Sequence, residues 1–388
     1  MKYRGKAHGL ARGTGSTQNS TRDVQSVLFL CLAGVGDSLL ATAAIGALKR
    51  CLPHARVTVL TMLGGARKVM ERCPHADDVL HFDFQREGLL RSLRYVLELR
   101  RRRFDVSILT YPANRIEYNM ISFLIGATAR LGHRYNHLDR VCGNWLNTHG
   151  IREDDGLSNI EENLRLAECV IGAKMPNAGV TLTRESGWGA FGTKWLSEND
   201  LQGKKVIGFH PGCDTRKNHI NRRWPPDSFA ALGRILVEEA EAAILVFGGS
   251  EEEELKEHIA SAIGPSATAV KAMDLPDTCA LIAACGHFVS NDSGLMHLAS
   301  ALGVSTTAIF GPTNPVWLRN PSAPRNEILM GLPCQPCFYY SPRHLRCRHG
   351  DFRCVRNLPP ERVAAVVLST LASSRFHHLA TKRSSTRE

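Results

Sequence analysis

The sequence contains no apolar run long enough to cross a membrane. None of its 388 residues falls in a window of the ~18 consecutive apolar residues that a membrane span needs. The first 24 residues carry basic side chains, but no apolar stretch follows them, so no secretory signal is expected there. These two absences favour a protein that stays in the cytoplasm.

The stretch Leu28–Arg50 indicates a strand, a glycine turn and a helix, but it lacks two parts of a dinucleotide-binding loop. Gly34 and Gly36 supply only two of the three glycines of G-x-G-x-x-G, because position 39 is leucine. The following strand, RVTVLTM, ends without the acidic residue that would bind a ribose. Both absences argue against an NAD-dependent epimerase or dehydrogenase.

Positive charge is abundant and unevenly placed. The net charge is +11, and basic residues are concentrated in residues 1–24, in residues 372–388 and in the segment Arg86–Arg103. Such clusters suit an anionic lipid or nucleic acid surface, although a solvated basic helix explains the third cluster equally well. The two tails are rich in Ser, Thr and Arg, so they are expected to be disordered.

Strand-like and helix-like segments alternate along most of the chain, which predicts parallel sheets covered by helices. In the first half the strands are expected near 26–33, 56–62, 78–83, 104–109 and 129–133, and the helices near 37–51, 65–73, 87–102 and 115–125. The pattern starts again after residue 200. The predicted fold is therefore α/β, with two Rossmann-like doubly wound domains.

The predicted division of the chain has five parts. They are a disordered basic tail at 1–24, a first Rossmann-like domain at 25–185, a second at 186–358, a C-terminal helix packing across the interface at 359–374, and a disordered tail at 375–388. No short internal repeat is visible. The joint between the two Rossmann-like halves is expected near 175–200.

Asp37 stands in the glycine turn of the opening stretch. An aspartate there caps a helix well, and this is one interpretation. The other is a carboxylate at the carboxyl edge of a parallel sheet, where such folds bind ligands and where a general base can take a proton from a hydroxyl. The residues alone leave both interpretations open.

A second motif, VSNDSGLMHLASALG, predicts a strand that ends in an anion-binding helix start. Asn291, Asp292 and Ser293 are candidate caps, Gly294 permits close approach to the backbone, and His297 lies one turn further on. The free N–H groups of the helix would suit a diphosphate. The alternative is a well-capped helix with a half-buried histidine.

Two loops of the second half complete the candidate site. The stretch GFHPGCDTRKNHINRRWPPDSF has four cations in eight residues after a strand, which suits phosphate oxygens or is simply an exposed basic loop. The turn FGGSEEEE places Glu252 where it could accept hydrogen bonds from a ribose, although acids in a first helical turn also match the helix dipole.

Taken together and in this order, these motifs resemble glycosyltransferase family nine, the ADP-heptose:lipopolysaccharide heptosyltransferases. The similarity covers roughly residues 26 to 368. The matching motifs are Gly36-Asp37, His210-Pro211-Gly212, Arg222 with Trp224-Pro225, Asp292-Ser293-Gly294 with His297, and Gly311-Pro312-Thr313. The set is specific, whereas each motif alone is weak.

The resemblance implies a GT-B fold, in which the two Rossmann-like domains face a cleft. It implies inverting transfer of a heptose from ADP-heptose to the lipopolysaccharide inner core, without a metal or another cofactor. The first domain would bind the acceptor through a loop with Gly34 and Gly36, and Asp37 would be the base. The second would bind the nucleotide sugar through Gly212, Cys213, Arg222, Glu252, Asp292, Ser293, Gly294 and His297.

The resemblance also implies where the protein works and with what. The acceptor would be a phosphorylated glycolipid at the inner membrane surface, so the enzyme would be cytoplasmic and peripheral to that membrane, with no nucleic acid partner. Cys213 and Arg222 depart from the residues common in the family. The alternatives are therefore a related glycosyltransferase with another nucleotide sugar, or an inactive relative that only binds one.

Four cysteines stand apart from the other eight. Cys334, Cys337, Cys347 and Cys354 begin with a C-x-x-C pair and lie among histidines, which is a fair zinc pattern. The second pair is separated by six residues, which is more than a zinc site usually has. Reduced thiols or an adventitious disulfide are the other interpretations, and no catalytic metal is expected.

Overall fold

The structure is a computed structural model that describes most of the chain. The described residues are 24–136, 140–323, 325–339 and 344–384. The predicted basic tail lies outside them apart from residue 24, and so do the last four residues of the predicted C-terminal tail.

The described residues form two compact units. The first unit runs to Arg184 and also includes Val316–Ser322, while the second begins at Glu185 and holds the remaining described residues. The sequence predicts a second domain that is continuous from 186 to 358. In the structure one segment of that range belongs to the first unit instead.

The described part of the first unit contains a six-stranded parallel sheet in the order β3-β2-β1-β4-β5-β6. Its strands are β1 (Ser26–Cys31), β2 (Arg56–Thr61), β3 (Asp78–His81), β4 (Val106–Leu109), β5 (Ala129–Arg134) and β6 (His149–Arg152). Its helices are α1 (Val35–Cys51), α2 (Gly64–Met70), α3 (Leu89–Arg100), α4 (Ile116–Ile125) and α5 (Asn159–Ile171). The sequence patterns predict the first five strands and miss β6.

The described part of the second unit also contains a six-stranded parallel sheet, in the order β12-β11-β10-β7-β8-β9. Its strands are β7 (Lys205–His210), β8 (Ala242–Val246), β9 (Ala267–Ala269), β10 (His287–Asn291), β11 (Thr306–Phe310) and β12 (Arg325–Leu329). Its helices are α6 (Trp188–Glu198), α7 (Pro226–Ala240), α8 (Glu253–Ile263), α9 (Leu275–Ala283), α10 (Gly294–Ala301), α11 (Arg353–Arg356) and α12 (Pro360–Ser384).

Both sheets are buried on their two faces, which explains why their central strands read as unbroken apolar runs. Every residue of β1 after its first is inaccessible to solvent. In the first unit α1, α2 and α5 pack together, whereas α3 packs against α4. In the second unit α7 packs against both α8 and α12, whereas α6 packs against α9. Each sheet therefore lies between helices, as the alternating pattern predicts.

Each sheet reverses its strand order at one point. In the first sheet this switch point lies between β1 and β4, and in the second it lies between β7 and β10. Connections leave in opposite directions there, so a crevice opens at the carboxyl ends of the two strands, where doubly wound folds bind ligands. The candidate residues that follow β1, β7 and β10 therefore lie where a ligand is expected.

The last helix differs from its prediction in length. The sequence predicts an end at residue 374, followed by a tail, but α12 continues to Ser384. It packs against α7 and β11 of its own unit through buried Val363, Ala364 and Val367. Among the described helices, none is both long and apolar enough to cross a membrane.

Candidate active site

Asp37 lies at the switch point of the first sheet, in the first turn of α1. Its Oδ2 accepts a hydrogen bond from the backbone N–H of Gly34 at 3.2 Å, which caps the helix. Its Oδ1 accepts a second hydrogen bond from Nδ2 of Asn159, also at 3.2 Å. The carboxylate is half-buried. The capping interpretation is therefore right, and the same geometry leaves Asp37 at the ligand-binding edge.

Asn159 is a residue that the sequence patterns do not single out. It opens α5 directly after Ser158, whose side chain accepts a hydrogen bond from the backbone N–H of Glu161 and completes a capping box. Asn159 is fully buried, and its Oδ1 has no hydrogen-bond partner among the described residues. The capping box predicts the start of α5, but nothing local predicts that this start meets a side chain 122 residues earlier.

A buried polar network holds α5 in this place. Glu162 binds Nε2 of His133 at 2.9 Å, Nη1 of Arg165 at 2.6 Å and the backbone N–H of Asp154. Burial alone would raise the pKa of Glu162, but these donors outweigh burial and lower it. The side chain of Asn163 also accepts a hydrogen bond from the backbone of Tyr111 at 2.8 Å. The start of α5 is thereby fixed against the ends of β4 and β5.

We expect Asn159→Ala to lower turnover of the acceptor by about 10–100-fold, because hydrogen bonds to charged groups are worth about 1.5–3 kcal/mol. Nucleotide binding should be unchanged. The loss of this donor should also move the acid limb of the pH–rate profile to higher pH, which a purely structural defect would not do. Steady-state kinetics between pH 5 and 9 would measure both, with Asn199→Ala at the exposed carboxyl end of α6 as the control. An unchanged profile would contradict a positioning role.

In the second unit, His210 connects the ends of three segments at the switch point. Its Nδ1 lies 2.8 Å from Oγ of Ser293, and its Nε2 lies 3.3 Å from Oε2 of Glu252. Ser293 is the N-cap of α10, where its side chain accepts a hydrogen bond from the backbone N–H of Met296. The sequence places His210 in a motif, and its contacts with Ser293 and Glu252 become visible only in the structure.

Two arginines of the β7–α7 loop form buried ion pairs. Nη1 of Arg222 lies 2.7 Å from Oδ2 of Asp292, and Nη2 of Arg223 lies 2.6 Å from Oε1 of Glu252. Both carboxylates are less than a tenth exposed. The guanidinium group of Arg222 is thereby held in a fixed direction beside Asp292, the residue before the N-cap of α10, and this is the arrangement that electrostatic stabilisation of an anion requires.

Glu252 has a structural task beside its predicted contact with ribose. Its Oε2 also accepts a hydrogen bond from the backbone N–H of Gly249 at 3.2 Å. Burial would raise the pKa of this carboxyl, but His210 and Arg223 outweigh burial and lower it. A Cβ atom at Gly212 would collide with the same carboxylate, so any other residue there would displace Glu252 from His210 and Arg223.

His297 and Cys213 also lie near this ion-pair cluster. Burial lowers the pKa of His297 to about 4, and nearby Arg325 adds to the effect while Asp292 opposes it. The imidazole is therefore neutral at pH 7 and brings no positive charge to a bound anion. Burial likewise raises the pKa of the Cys213 thiol, so this side chain brings no charge to the loop.

The structure brings together most of the predicted donor residues in one unit. Gly212, Cys213, Arg222, Glu252, Asp292, Ser293 and His297 all contact or neighbour the cluster around the amino end of α10, which begins at Gly294. Asp37, Gly34 and Gly36 lie in the other unit. The cleft between the two domains that the resemblance implies stays a prediction.

The four distinct cysteines line one pocket. Cys334, Cys337, Cys347 and Cys354 are all free. Within the described ranges, no group of three or more His, Cys, Asp or Glu side chains is arranged to hold a metal ion. The zinc interpretation therefore has no support in the described part of the chain.

Two buried histidines and one half-buried histidine of the second unit make its stability depend on pH. The pKa of His219, His287 and His297 is lowered to about 4, in each case mainly by burial. In the unfolded chain a histidine has a pKa of about 6.5, so between these values the unfolded chain binds protons that the folded one does not. Stability should therefore fall as the pH falls from about 6.5 towards 4.

Urea unfolding between pH 4.5 and 7.5 would measure this dependence. We expect a constant midpoint above about pH 6.5 and a steady decrease below it. His287→Gln should reduce the slope by about one proton, because it removes one group whose pKa burial lowers, while glutamine can still bond to Thr307. A midpoint that does not change over this range would show that these histidines are protonated in the folded protein.

The architecture has counterparts among solved structures. The chain superposes on the structure of E. coli ADP-heptose lps heptosyltransferase II with a TM-score of 0.68 and 20% identity, over 90% of this chain and 100% of that one. Two doubly wound parallel sheets in one chain give this protein the GT-B fold.

Sequence comparison identifies the family. Residues 92–346 match the model of glycosyltransferase family 9 (heptosyltransferase), and the chain belongs to that family. The lipooligosaccharide heptosyltransferase 2 of Campylobacter jejuni is 31% identical over 181 residues, which are 44% of this chain and 53% of that protein. The lipopolysaccharide heptosyltransferase 2 of Salmonella typhimurium is 26% identical over 303 residues, which are 74% of this chain and 83% of that protein. The match thus spans about half of the Campylobacter protein.

Proposed function

We propose that the protein is an inverting, metal-independent glycosyltransferase that moves a heptose from ADP-heptose to the inner core of lipopolysaccharide. The family, the GT-B fold and the similarity to known heptosyltransferases support this reaction class. One observation carries the proposal: fixed guanidinium groups and the capped amino end of α10 occur together at the switch point of the second sheet.

The second unit would bind the donor. The diphosphate of ADP-heptose would lie against the amino end of α10, where backbone N–H groups and the helix dipole favour an anion. Arg222 and Arg223 are each paired with a carboxylate, so they contribute directed N–H donors more than net charge. Because these donors are already oriented, they would stabilise the leaving diphosphate without reorganising.

The first unit would bind the acceptor and supply the base. Asp37 would remove the proton of the acceptor hydroxyl as that oxygen attacks the anomeric carbon from the face opposite to the diphosphate. The attack forms the new glycosidic bond and breaks the bond to ADP, and the anomeric centre is inverted. Gly34 and Asn159 hold the carboxylate through one oxygen each, so its direction is set before the acceptor binds.

The acceptor would be a phosphorylated glycolipid at the inner membrane surface, with the enzyme in the cytoplasm and peripheral to that membrane. No cofactor and no nucleic acid is needed for this reaction. Stabilisation of the leaving group by Arg222 and α10 is the role that a divalent cation would otherwise take, which is why we propose independence from metal.

A donor screen tests the proposal. Purified protein would be incubated with heptose-deficient lipopolysaccharide and one of four donors: ADP-heptose, ADP-glucose, UDP-glucose or GDP-mannose. Mass spectrometry would then measure the mass of the glycolipid product. We expect one heptose mass to be added with ADP-heptose only, at the same rate in EDTA and in MgCl2. Transfer from another nucleotide sugar would identify a related transferase. Binding of ADP without any transfer would identify an inactive relative.

A further inference from the structure

The exposed apolar side chains of this protein are concentrated on one surface. Among the described residues ten large apolar side chains are exposed, and nine of them belong to α3, α4 and the segment that follows β5. These nine, called the apolar surface below, are Leu89, Leu90, Leu93, Leu97, Ile116, Met120, Phe123, Val141 and Trp145. A cluster of this kind on a protein surface marks an interaction site.

Helix α3 supplies the most exposed part of the apolar surface. Leu89 and Leu90 are each 84% exposed, at the amino end of the helix. Leu89, Leu93 and Leu97 are four residues apart, so they share one helical face. The packing against the sheet uses other residues of the same helix, namely the buried Val96 and Leu99. The exposed leucines are therefore additional to what the fold needs.

The rest of the apolar surface lies on the elements next to α3. Helix α4 packs against α3 and exposes Ile116, Met120 and Phe123, which follow one another at spacings of four and three residues. The 3-10 helix Asn144–Leu146 packs against α4 and carries Trp145, which is 75% exposed. Three neighbouring elements thus present apolar side chains, and tryptophan is a residue that favours the membrane–water boundary.

Positive charge surrounds these side chains. The segment from Arg86 to Arg103 holds seven arginines and two glutamates, which gives a net charge of +5. Its glutamates already have partners, because Glu87 pairs with Arg91 at 2.8 Å and Glu98 with Arg94 at 3.3 Å. Arg101, Arg102 and Arg103 are exposed at the end of α3. A partner that binds the apolar surface must therefore have an apolar interior and anionic groups at its boundary.

A bilayer of anionic phospholipid has this chemistry. We propose that the apolar surface inserts into the headgroup region of an anionic membrane, with the arginines at the end of α3 on the lipid phosphates. Amphipathic helices with leucine and tryptophan on one side and arginine around them bind membranes in this way, in the plane of the interface.

This docking surface would deepen the proposed function, because it would bring the acceptor unit to a glycolipid substrate. It does not depend on the transfer reaction, since the residues involved are separate from Asp37 and from the donor cluster. Vesicle binding and ADP binding can therefore be measured independently, and failure of one does not imply failure of the other.

The test is co-sedimentation of the full chain with vesicles. Binding to POPC:POPG (70:30) vesicles is expected to be at least tenfold tighter than to POPC vesicles, and to weaken at 0.5 M NaCl. Leu89→Ser/Leu90→Ser should weaken binding to the anionic vesicles about tenfold, because two exposed leucines no longer enter the lipid. Arg101→Glu/Arg102→Glu should weaken it by a similar factor.

The matched control is Lys194→Glu/Lys204→Glu, which changes the net charge equally at two exposed positions of the second unit. It should bind vesicles like the unaltered protein, and all variants should bind ADP with unchanged affinity. Equal loss of binding in the control would reduce the effect to net charge and overturn the proposal. So would full vesicle binding by the leucine variant, or a dimer in sedimentation velocity that the leucine variant abolishes.

Discussion

Replacement of Asp37 by asparagine should lower kcat by about 10²–10⁴-fold, the usual contribution of a general base. Affinity for ADP should not change, because the donor cluster belongs to the other unit. Asparagine is chosen because its side-chain oxygen can still accept the hydrogen bond from the backbone N–H of Gly34. The helix cap is thereby preserved, and the variant removes the proton acceptor together with the oxygen that accepts from Nδ2 of Asn159.

The measurement is single-turnover transfer from ADP-heptose, with isothermal titration of ADP as the binding readout. Asp227→Asn is the control, since Asp227 is also an acid in a first helical turn, in α7, and its side chain is 92% exposed. The control should be as active as the unaltered protein. Turnover by Asp37→Asn within about threefold of the unaltered rate would show that Asp37 is only a helix cap.

Replacement of Arg222 by methionine should have the second large effect, on both stability and activity. The Arg222–Asp292 pair is nearly buried, so removal of the arginine leaves a buried carboxylate without its charged partner. Such a change typically destabilises a protein by about 3–5 kcal/mol. Loss of a preorganised donor to the leaving diphosphate should lower kcat by a further factor of about 10²–10³.

The double variant Arg222→Met/Asp292→Asn separates the two effects. Without the buried negative charge, much of the lost stability should return in urea unfolding, whereas transfer should stay low. Arg222→Lys should retain more activity, because it keeps a cation. Arg216→Met removes an arginine from a largely exposed ion pair of the same loop and should change little. Recovery of full transfer by the double variant would show that Arg222 has only a structural role.

Local patterns predict much of the fold. The apolar run at 26–31, the glycine turn and the alanine-rich segment behind it are sufficient to predict β1 and α1, because their signals lie within a few residues of one another. The order of strands and helices likewise predicts two parallel sheets. In the same way, Ser293 is recognisable as a helix cap from its immediate neighbours, and the structure confirms it as the N-cap of α10.

The contacts that bring the candidate site residues together join positions far apart in the sequence. His210 reaches Ser293 across 83 residues, and Asn159 reaches Asp37 across 122. Glu252 illustrates the limit, since the sequence suggests a ribose contact while the structure occupies both of its oxygens with His210, Arg223 and Gly249. No local pattern distinguishes these partners from other polar residues.

The sequence by itself determined the elements, their order and the chemical types of the candidate residues, because helix, strand and cap preferences act between near neighbours. Only the tertiary structure decided that α5 holds the Asp37 carboxylate and that two ion pairs fix the arginines. It also decided that Leu89, Leu90, Leu93 and Leu97 of α3 remain outside the core, whereas Leu99 enters it. The physical reason is that strand order, and not chain distance, determines which side chains meet at a switch point.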